Sequence, residues 1–259
     1  MLTMGIDIGS TTSKCVILRD GKELAGMSLR VGGIGTRSPG LCVEEALSAA
    51  GAGREDIAAA AATGYGRNRY EGADWQISEL TCHAAGVHLL LPEVRTIIDI
   101  GGQDAKVIRL GANGKMQNFL MNDKCAAGTG RFLDVMSAVL QVPVDDLGAM
   151  ALRSKKHAPI SSTCTVFAES EVISQLANGV DMDDLVGGIC DSVAVRVAAQ
   201  VKRLGVEEQV CMSGGVARND GVRAALSREL GVEIVVSPLA QYMGAIGAAV
   251  AAFEKANKT

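Results

Sequence analysis

The stretch Asp7-Ile8-Gly9-Ser10-Thr11-Thr12-Ser13-Lys14 lies between apolar runs, and a related stretch follows 92 residues later as Asp99-Ile100-Gly101-Gly102-Gln103-Asp104-Ala105-Lys106. Both copies begin with Asp-Ile-Gly and place a lysine seven residues after the aspartate. Each copy has the pattern of a β-hairpin with a turn of small or polar residues. The repeat predicts a duplicated unit whose two hairpins face each other across a cleft.

A phosphate chain is the ligand that these two hairpins would suit. Amides and hydroxyl groups of the turns would contact the phosphates, and Asp7 and Asp99 would hold Mg²⁺ through water, as is usual for that ion. The first copy is not a P-loop, because it lacks the Gly-x-x-x-x-Gly-Lys-Ser/Thr spacing and continues into a strand. The alternative is a structural duplication that binds no ligand.

Two further segments are rich in small residues. The segment from Val210 to Asn219 is a short apolar strand that ends in Gly214-Gly215 ahead of a helical run. Paired glycines allow a flat ligand to approach the backbone, although an ordinary strand-to-helix turn has the same pattern. The segment 241–249, which begins with Gln241, predicts a helix suited to close packing at a hinge between lobes, or simply a core helix.

Two cysteines precede predicted helices. Cys125 lies just before Gly128-Thr129-Gly130, which the spacing of the following apolar residues places at a helix N-terminus. Cys164 lies in a hydroxyl-rich lead into a second helix, which should stop at Asn178-Gly179. Free backbone amides at these N-termini would favour a thiolate and the negative charge of an iron–sulfur cluster. The two segments therefore indicate bound iron.

The number of such thiols predicts an oligomeric state. A [4Fe–4S] cluster usually takes four thiolates, but the sequence has no Cys-x-x-Cys pair, and only Cys125 and Cys164 have this helical context. A two-fold dimer that presents both cysteines from each chain would supply four ligands to one cluster on the symmetry axis. Buried free cysteines without iron are the alternative.

Composition excludes several classes of function. The chain has 259 residues of which 48% are hydrophobic, which is enough for one or two domains with a large core. A net charge of −4 and 3% aromatic residues argue against a nucleic-acid surface. The longest apolar run, from Ala248 to Phe253, is far shorter than the ~20 residues that a bilayer requires. We expect a cytoplasmic protein without a membrane partner, and its seven scattered cysteines fit reduced thiols.

These motifs resemble those of a known group of proteins. The two hairpins and Ser213-Gly214-Gly215 look like the phosphate 1, phosphate 2 and adenosine motifs of the acetate kinase, sugar kinase, Hsp70 and actin superfamily. The segments 122–136 and 161–179 closely resemble the iron–sulfur activator ATPases of 2-hydroxyacyl-CoA dehydratases. Those proteins are related to the ATPase subunits of benzoyl-CoA reductase. The similarity extends over residues 4–252, which is nearly the whole chain.

The resemblance implies a fold and an activity. The fold is α/β, with duplicated ribonuclease H-like (actin-type) lobes and an ATP cleft between them. Lobe I would comprise residues 1–94, joined by a C-terminal helix at 241–259, and lobe II would comprise residues 95–240 with the cluster-binding helices. A homodimer would hold one [4Fe–4S] cluster at Cys125 and Cys164. ATP hydrolysis would drive an electron from ferredoxin or flavodoxin to a 2-hydroxyacyl-CoA dehydratase.

The resemblance also assigns nucleotide-binding residues. Gln103 would orient the attacking water, by analogy with glutamines in other phosphoryl-transfer sites, while Asp7 and Asp99 would serve Mg²⁺. Trp75 departs from the family, whose members carry a basic residue at about this point, so a partner contact there is in doubt. The residues expected to contact ATP or ADP are Ser10, Thr11, Thr12, Ser13, Lys14, Gly101, Gly102, Gln103, Asp104, Gly214, Gly215 and Gln241.

Three alternatives share this fold. A small-molecule kinase for a sugar or a carboxylate would need no iron, and an actin-like filament protein would need polymerising surfaces. An ATPase subunit of the benzoyl-CoA reductase type would differ from the dehydratase activators in its partner.

Overall fold

The computed structural model describes residues 1–258, which form two five-stranded sheets and eight α-helices. The strands are β1 Leu2–Ile8, β2 Thr12–Arg19, β3 Glu23–Val31, β4 Ile57–Thr63, β5 Trp75–Gln76, β6 Thr96–Ile100, β7 Ala105–Leu110, β8 Met116–Asn122, β9 Val210–Ser213 and β10 Ile234–Val236. The helices are α1 Ser38–Ala50, α2 Glu79–Leu90, α3 Gly130–Leu140, α4 Leu147–Arg153, α5 Thr165–Ala177, α6 Met182–Leu204, α7 Asp220–Leu230 and α8 Met243–Ala256.

The two sheets have the same strand order. The first runs β3-β2-β1-β4-β5, and the second runs β8-β7-β6-β9-β10. In the first sheet β1 is antiparallel to β2 and parallel to β4, and in the second β6 is antiparallel to β7 and parallel to β9. The predicted duplicated α/β fold is therefore confirmed.

Both predicted hairpins are present in the same register. Asp7 lies opposite Lys14 in the β1–β2 hairpin, and Asp99 lies opposite Lys106 in the β6–β7 hairpin. We call residues 7–14 hairpin 1 and residues 99–106 hairpin 2. In each turn the glycine after the first strand donates its N–H to the carbonyl three residues later, at 3.0 Å in hairpin 1 and 2.9 Å in hairpin 2.

The chain divides into two compact units. Unit 1 contains Met1–Val94, Leu110–Gln117 and the described chain from Gln241 onward, and unit 2 contains Arg95–Arg109 and Asn118–Ala240. Each unit contains one of the two hairpins. Each also buries apolar side chains of its central strand, β1 in unit 1 and β6 in unit 2.

Small residues allow α2 and α8 to pack closely in unit 1. A side chain added at Gly247 would collide with the Cys82 carbonyl, and one added at Gly86 would collide with that of Met243. The predicted helix of small residues is therefore a close-packing helix. It begins at Met243, because Ala240–Tyr242 forms a 3₁₀ turn.

Helix α6 is the centre of unit 2. It begins where the Asp181 side chain accepts hydrogen bonds from the N–H groups of Asp183 and Asp184, at 3.0 and 3.3 Å. Its valine, alanine and leucine side chains form much of the buried core. The helices predicted after Cys125 and Cys164 are confirmed as α3 and α5, and α5 has Asn178 as its C-cap, where the sequence predicted its end.

No single helix within residues 1–258 is long and apolar enough to cross a membrane. The segments Gly130–Leu140 and Val144–Arg153 have the length and apolar composition of a membrane span only when they are taken together. They are bent by 104° to each other.

Candidate functional site

Hairpin 1 presents a polar turn beside a partly buried ion pair. Asp7 is 6% exposed, and its carboxylate lies 3.2 Å from the Lys14 ammonium. The turn residues Ser10 and Thr12 are half-buried, and Thr11 is exposed. The hydroxyl of Ser13 points elsewhere, because this residue is buried and donates to the Gly32 carbonyl at 2.8 Å. Its hydroxyl is therefore already engaged within the fold.

Glycines surround the backbone of hairpin 1. Gly64 has φ +86°, and a Cβ there would lie 2.5 Å from an Asp7 carboxylate oxygen. A side chain at Gly33 would collide with the Gly9 carbonyl. Glycine is required at Gly64 by the left-handed backbone and at both positions by the close approach. Sequence reasoning assigned no site role to Gly33 or Gly64.

Hairpin 2 has a different charge arrangement. Lys106 is 3% exposed and lies 2.6 Å from Asp104 and 3.4 Å from Asp99. The other Asp99 oxygen accepts a hydrogen bond from the Ser213 hydroxyl at 2.8 Å. The lysine is thus enclosed by two carboxylates, and Gln103 alone among the polar turn residues is exposed.

The adenosine-like segment continues the duplication. Asp99 pairs in register with Ser213, just as Asp7 pairs with Thr63. Gly214 has φ +84°, and a Cβ there would lie 2.9 Å from an Asp99 oxygen, which matches Gly64 beside Asp7. The pair Thr63-Gly64 therefore corresponds to Ser213-Gly214, a likeness that is visible only once each glycine lies beside an aspartate of the adjacent strand.

The remaining predicted nucleotide-binding residues are Gly214 and Gly215 of unit 2 and Gln241, where the last segment of unit 1 begins. Gly214 donates its N–H to the Ala240 carbonyl at 3.1 Å, and Gln241 is the next residue along the chain. Gly215 is exposed and begins the 3₁₀ turn Gly215–Arg218. The backbone here is thus accessible at Gly215 and fixed at Gly214.

The Cys125 segment is connected to hairpin 2 by backbone hydrogen bonds. The first two residues of α3, Gly130 and Arg131, donate their N–H groups to the carbonyls of Gly101 and Gly102 at 2.9 and 2.8 Å. The expectation of free amides at this N-terminus was therefore wrong. The helix start is used to bind the turn of hairpin 2 instead of an anion.

The turn that carries Cys125 is closed by side chains. The Asn122 amide donates to the carbonyls of Cys125 and Ala127 at 2.9 and 3.3 Å, and the Thr129 hydroxyl donates to Ala126 at 2.7 Å. Gly128 has φ +82° and passes close to α6. These contacts hold Cys125 one turn before α3.

Cys164 lies at the N-cap of α5 in extended conformation. Ala168 is the first helical residue whose N–H bonds back into the chain, to the Cys164 carbonyl at 3.0 Å. Within residues 1–258 the N–H groups of Thr165, Val166 and Phe167 have no acceptor. The prediction of free amides is thus confirmed at α5, in contrast to α3.

Accessibility separates these two cysteines from the other five. Cys125 and Cys164 are partly exposed, while every other cysteine is buried. Burial raises the pKa of Cys82 and Cys190 to about 12, and raises the pKa of Cys15, Cys42 and Cys211 as well, so these thiols resist ionisation. In the described chain no three His, Cys, Asp or Glu side chains are grouped to hold a metal. A cluster at Cys125 and Cys164 would need ligands from a second chain.

The BadF/BadG/BcrA/BcrD ATPase family matches residues 4–252 of this sequence. The chain belongs to that family. Among relatives, the (R)-2-hydroxyglutaryl-CoA dehydratase activating ATPase of Acidaminococcus fermentans is 58% identical over 257 residues, which cover 99% of this chain and 98% of that protein. One of the benzoyl-CoA reductase subunits of Thauera aromatica is 32% identical, over 96% of this chain and 92% of that protein.

Solved structures agree with this family assignment. The activator of the 2-hydroxyisocaproyl-CoA dehydratase from Clostridium difficile, solved with bound ADPNP, has a TM-score of 0.97 at 54% identity. The match covers 100% of this ATPase and 96% of the activator. A ROK family glucokinase from Streptomyces griseus has a TM-score of 0.59 at 13% identity, which shows a shared fold alone.

Trp75 of this ATPase is a packing residue. It is half-buried on β5 and packs against the small-residue cluster that includes Ala59, Cys82 and Ala252. The Lys255 ammonium lies 5.6 Å from the centre of its ring, which is within cation–π distance. A basic group therefore lies next to Trp75 although the residue itself is not basic.

Proposed function

We propose that this ATPase is an electron-transfer activator of a 2-hydroxyacyl-CoA dehydratase. The observation that carries the proposal is the state of its cysteines: only Cys125 and Cys164 are accessible, and each precedes a helix. The relative from Acidaminococcus fermentans is named as such an activating ATPase at 58% identity. A sugar or carboxylate kinase or a filament protein of this fold would have no use for the two thiols.

Hairpins 1 and 2 supply the groups for Mg-ATP. The relative solved with ADPNP supports nucleotide binding by this fold. Amides and hydroxyl groups of Ser10, Thr11 and Thr12 would contact phosphates, and Asp7 and Asp99 would hold Mg²⁺ through water. Lys14 is the accessible cation of hairpin 1. Gln103, exposed in the turn of hairpin 2, would orient the attacking water.

Thiolate donors suit an iron–sulfur cluster, and the accessible donors number two per chain. Four thiolates would come from a homodimer, which is why we place one [4Fe–4S] cluster between two copies. When bound, the cluster supplies one-electron transfer at low potential. Apolar side chains exposed around these segments support association with a second copy: Phe119, Met121, Val166, Phe167 and Ile173.

A continuous backbone connection within unit 2 would couple nucleotide to the cysteines. The carbonyls of Gly101 and Gly102 accept from the first two amides of α3, and Cys125 lies five residues before that helix. A shift of the hairpin 2 turn on hydrolysis would therefore move α3 and the Cys125 turn with it. This is the kind of two-state element through which nucleotide switches act.

The partners follow from the proposed activity. Ferredoxin or flavodoxin would reduce the cytoplasmic protein, and a 2-hydroxyacyl-CoA dehydratase would receive the electron. The benzoyl-CoA reductase component of Thauera aromatica is a more distant relative, so a reductase-type ATPase is the second candidate.

Anaerobic purification tests the proposal. We expect a brown homodimer with about four iron atoms per dimer, and reduction of an acyl-CoA dehydratase only with hydrolysable ATP. A colourless monomer that phosphorylates a sugar or a carboxylate would show that the kinase alternative is right. Electron transfer to a benzoyl-CoA reductase but to no dehydratase would favour the second candidate.

A further inference from the structure

Residues 154–163 connect α4 to Cys164 without regular secondary structure, and we call this segment the strap. Loops of this kind usually depend on side-chain hydrogen bonds to hold one conformation. The strap determines where Cys164 lies, because it ends at that residue. The next two helices in the chain, α5 and α6, contact it through polar side chains.

Helix α6 holds the first half of the strap. One Asp184 carboxylate oxygen accepts from the N–H groups of Lys155 and Lys156 at 2.8 and 2.9 Å, and from the Ser154 hydroxyl at 2.8 Å. The Lys156 N–H, followed by the Ser154 hydroxyl, holds the pKa of Asp184 below its usual range. Gly188 lets the Ala158 carbonyl approach so closely that any side chain there would collide with it.

The second half of the strap is held at Ser161 from two sides. Its N–H donates to the Glu171 carboxylate of α5 at 2.6 Å, and its carbonyl accepts from the Ser192 hydroxyl of α6 at 3.0 Å. Gln175, one turn after Glu171, donates to the Pro159 carbonyl at 2.7 Å. Ser161 therefore has both backbone groups fixed by side chains of different helices.

The hydrogen bond between Glu171 and Ser161 joins the two sides of Cys164 in the chain. Glu171 lies seven residues after Cys164, two helical turns along the same face of α5. Its carboxylate reaches back to Ser161 and so closes the short loop that contains Cys164. The Ser161 hydroxyl also accepts from the Thr163 N–H at 3.3 Å, which shortens the free part of the loop further.

We propose that Glu171 and Ser192 are positioning residues for Cys164. By fixing both backbone groups of Ser161, they restrict the Cys164 side chain to one direction at the start of α5. The proposal rests on the proposed function, in which Cys164 is a cluster ligand. Fixed ligands retain a metal because less conformational freedom is lost on binding and because the geometry is already set.

The first experiment uses metal-free protein. Iodoacetamide alkylation of Cys164 and Cys125 is followed by peptide mass spectrometry in wild type, Glu171→Ala and Ser192→Ala. Loss of either hydrogen bond should speed alkylation of Cys164 about threefold to tenfold, while the Cys125 rate stays unchanged. Glu171→Gln should behave as wild type, because its amide oxygen can still accept from the Ser161 N–H.

Glu169→Ala is the matched control, since Glu169 lies on the same helix and makes no hydrogen bond or ion pair within residues 1–258. Alkylation of buried Cys190 in the same samples reports global unfolding. If Glu171→Ala exposes Cys190, then Ser192→Ala, which removes a single hydroxyl, decides the test. Cys164 rates equal to wild type in Ser192→Ala and in every folded Glu171 variant would overturn the proposal.

The second experiment uses iron-loaded protein and measures iron release and a spectroscopic signature of the site. Glu171→Ala should release iron to bathophenanthroline faster than wild type and change the electron paramagnetic resonance spectrum of the reduced protein, and Glu171→Gln should restore the wild-type rate of release. Equal release by Glu171→Ala and Glu169→Ala would contradict the positioning role. If wild type binds no iron, the proposed function fails, but Cys164 alkylation still tests the strap.

Discussion

Hairpins 1 and 2 share a register but differ in the surroundings of their lysines. Lys14 faces one carboxylate at 3.2 Å and its side chain is 14% exposed, whereas Lys106 lies between two carboxylates and is 3% exposed. The difference arises because hairpin 1 has Thr12 where hairpin 2 has Asp104. The repeated lysine thus has a different role in each hairpin. Lys14 is accessible to an added anion, whereas Lys106 neutralises the charge of the two carboxylates around it.

The connection between the third and the fourth strand is much longer in the second sheet than in the first. The chain returns from β3 to β4 through α1, but from β8 to β9 it passes through four helices, α3 to α6. Cys125 and Cys164 both lie in this enlarged crossover. Under the proposed function, the duplicated fold would therefore carry its extra chemistry in an insertion, which is how unrelated activities are commonly built on one fold.

The largest effect should come from the cysteines of the enlarged crossover. Cys125→Ser or Cys164→Ser should abolish bound iron, because each change would remove two of the four cluster ligands of the proposed dimer. Cys42→Ser is the matched control in the other unit, since its thiol already donates to backbone carbonyls and a hydroxyl can replace it. Iron content and absorbance near 400 nm, a wavelength typical of such clusters, give the answer. Iron loss in Cys42→Ser alone would refute the assignment.

Lys106→Met should destabilise the fold more than Lys14→Met, the equivalent change in hairpin 1. It leaves Asp99 and Asp104 buried without their cation, which costs about 3–5 kcal/mol. Urea unfolding measures the loss, and Asp104→Asn in the same chain should recover part of it. Equal destabilisation by Lys14→Met would show that the two lysines have equivalent surroundings after all.

Lys14→Met should instead weaken nucleotide binding. Removing an accessible cation from the proposed phosphate site should lower the affinity for Mg-ADP about tenfold to hundredfold, with only a small change in urea stability. Isothermal titration calorimetry measures the affinity, and Lys22→Met, an exposed lysine of unit 1, is the control. Unchanged affinity in Lys14→Met would leave hairpin 1 without a cationic role.

Sequence reasoning found what is local and missed what is brought together by folding. The offset between Asp7 and Asp99 predicted two hairpins in one register, because strand pairing depends on nearby residues. It did not connect Thr63-Gly64 with Ser213-Gly214, since two residues are too short a pattern without the neighbouring strands. Gly64 and Gly214 became comparable only once each lay beside an aspartate of the adjacent strand.

The error at α3 has the same origin. The pattern around Gly130 correctly predicted a helix start, and an isolated helix start has free amides. In the fold, the carbonyls of Gly101 and Gly102 occupy those amides, although they lie almost thirty residues earlier in the sequence. The contact of the Ser192 hydroxyl with the Ser161 carbonyl, 31 residues apart, was invisible for the same reason.

The smallest predicted effect is on the rate of ATP hydrolysis, which should distinguish the turn of hairpin 2 from the turn of hairpin 1. Gln103 and Thr11 occupy equivalent positions in the repeat and both are exposed. If Gln103 orients the attacking water, Gln103→Ala should slow ATP hydrolysis about tenfold through loss of orientation, while the affinity for nucleotide stays near that of wild type. Thr11→Ala instead removes an exposed hydroxyl that we propose contacts a phosphate, so it should weaken binding slightly and leave the hydrolysis rate at saturating ATP unchanged. Single-turnover hydrolysis and calorimetry on the same two variants test this difference. Slow hydrolysis in both variants, or in neither, would show that the hairpin 2 turn has no separate role in catalysis.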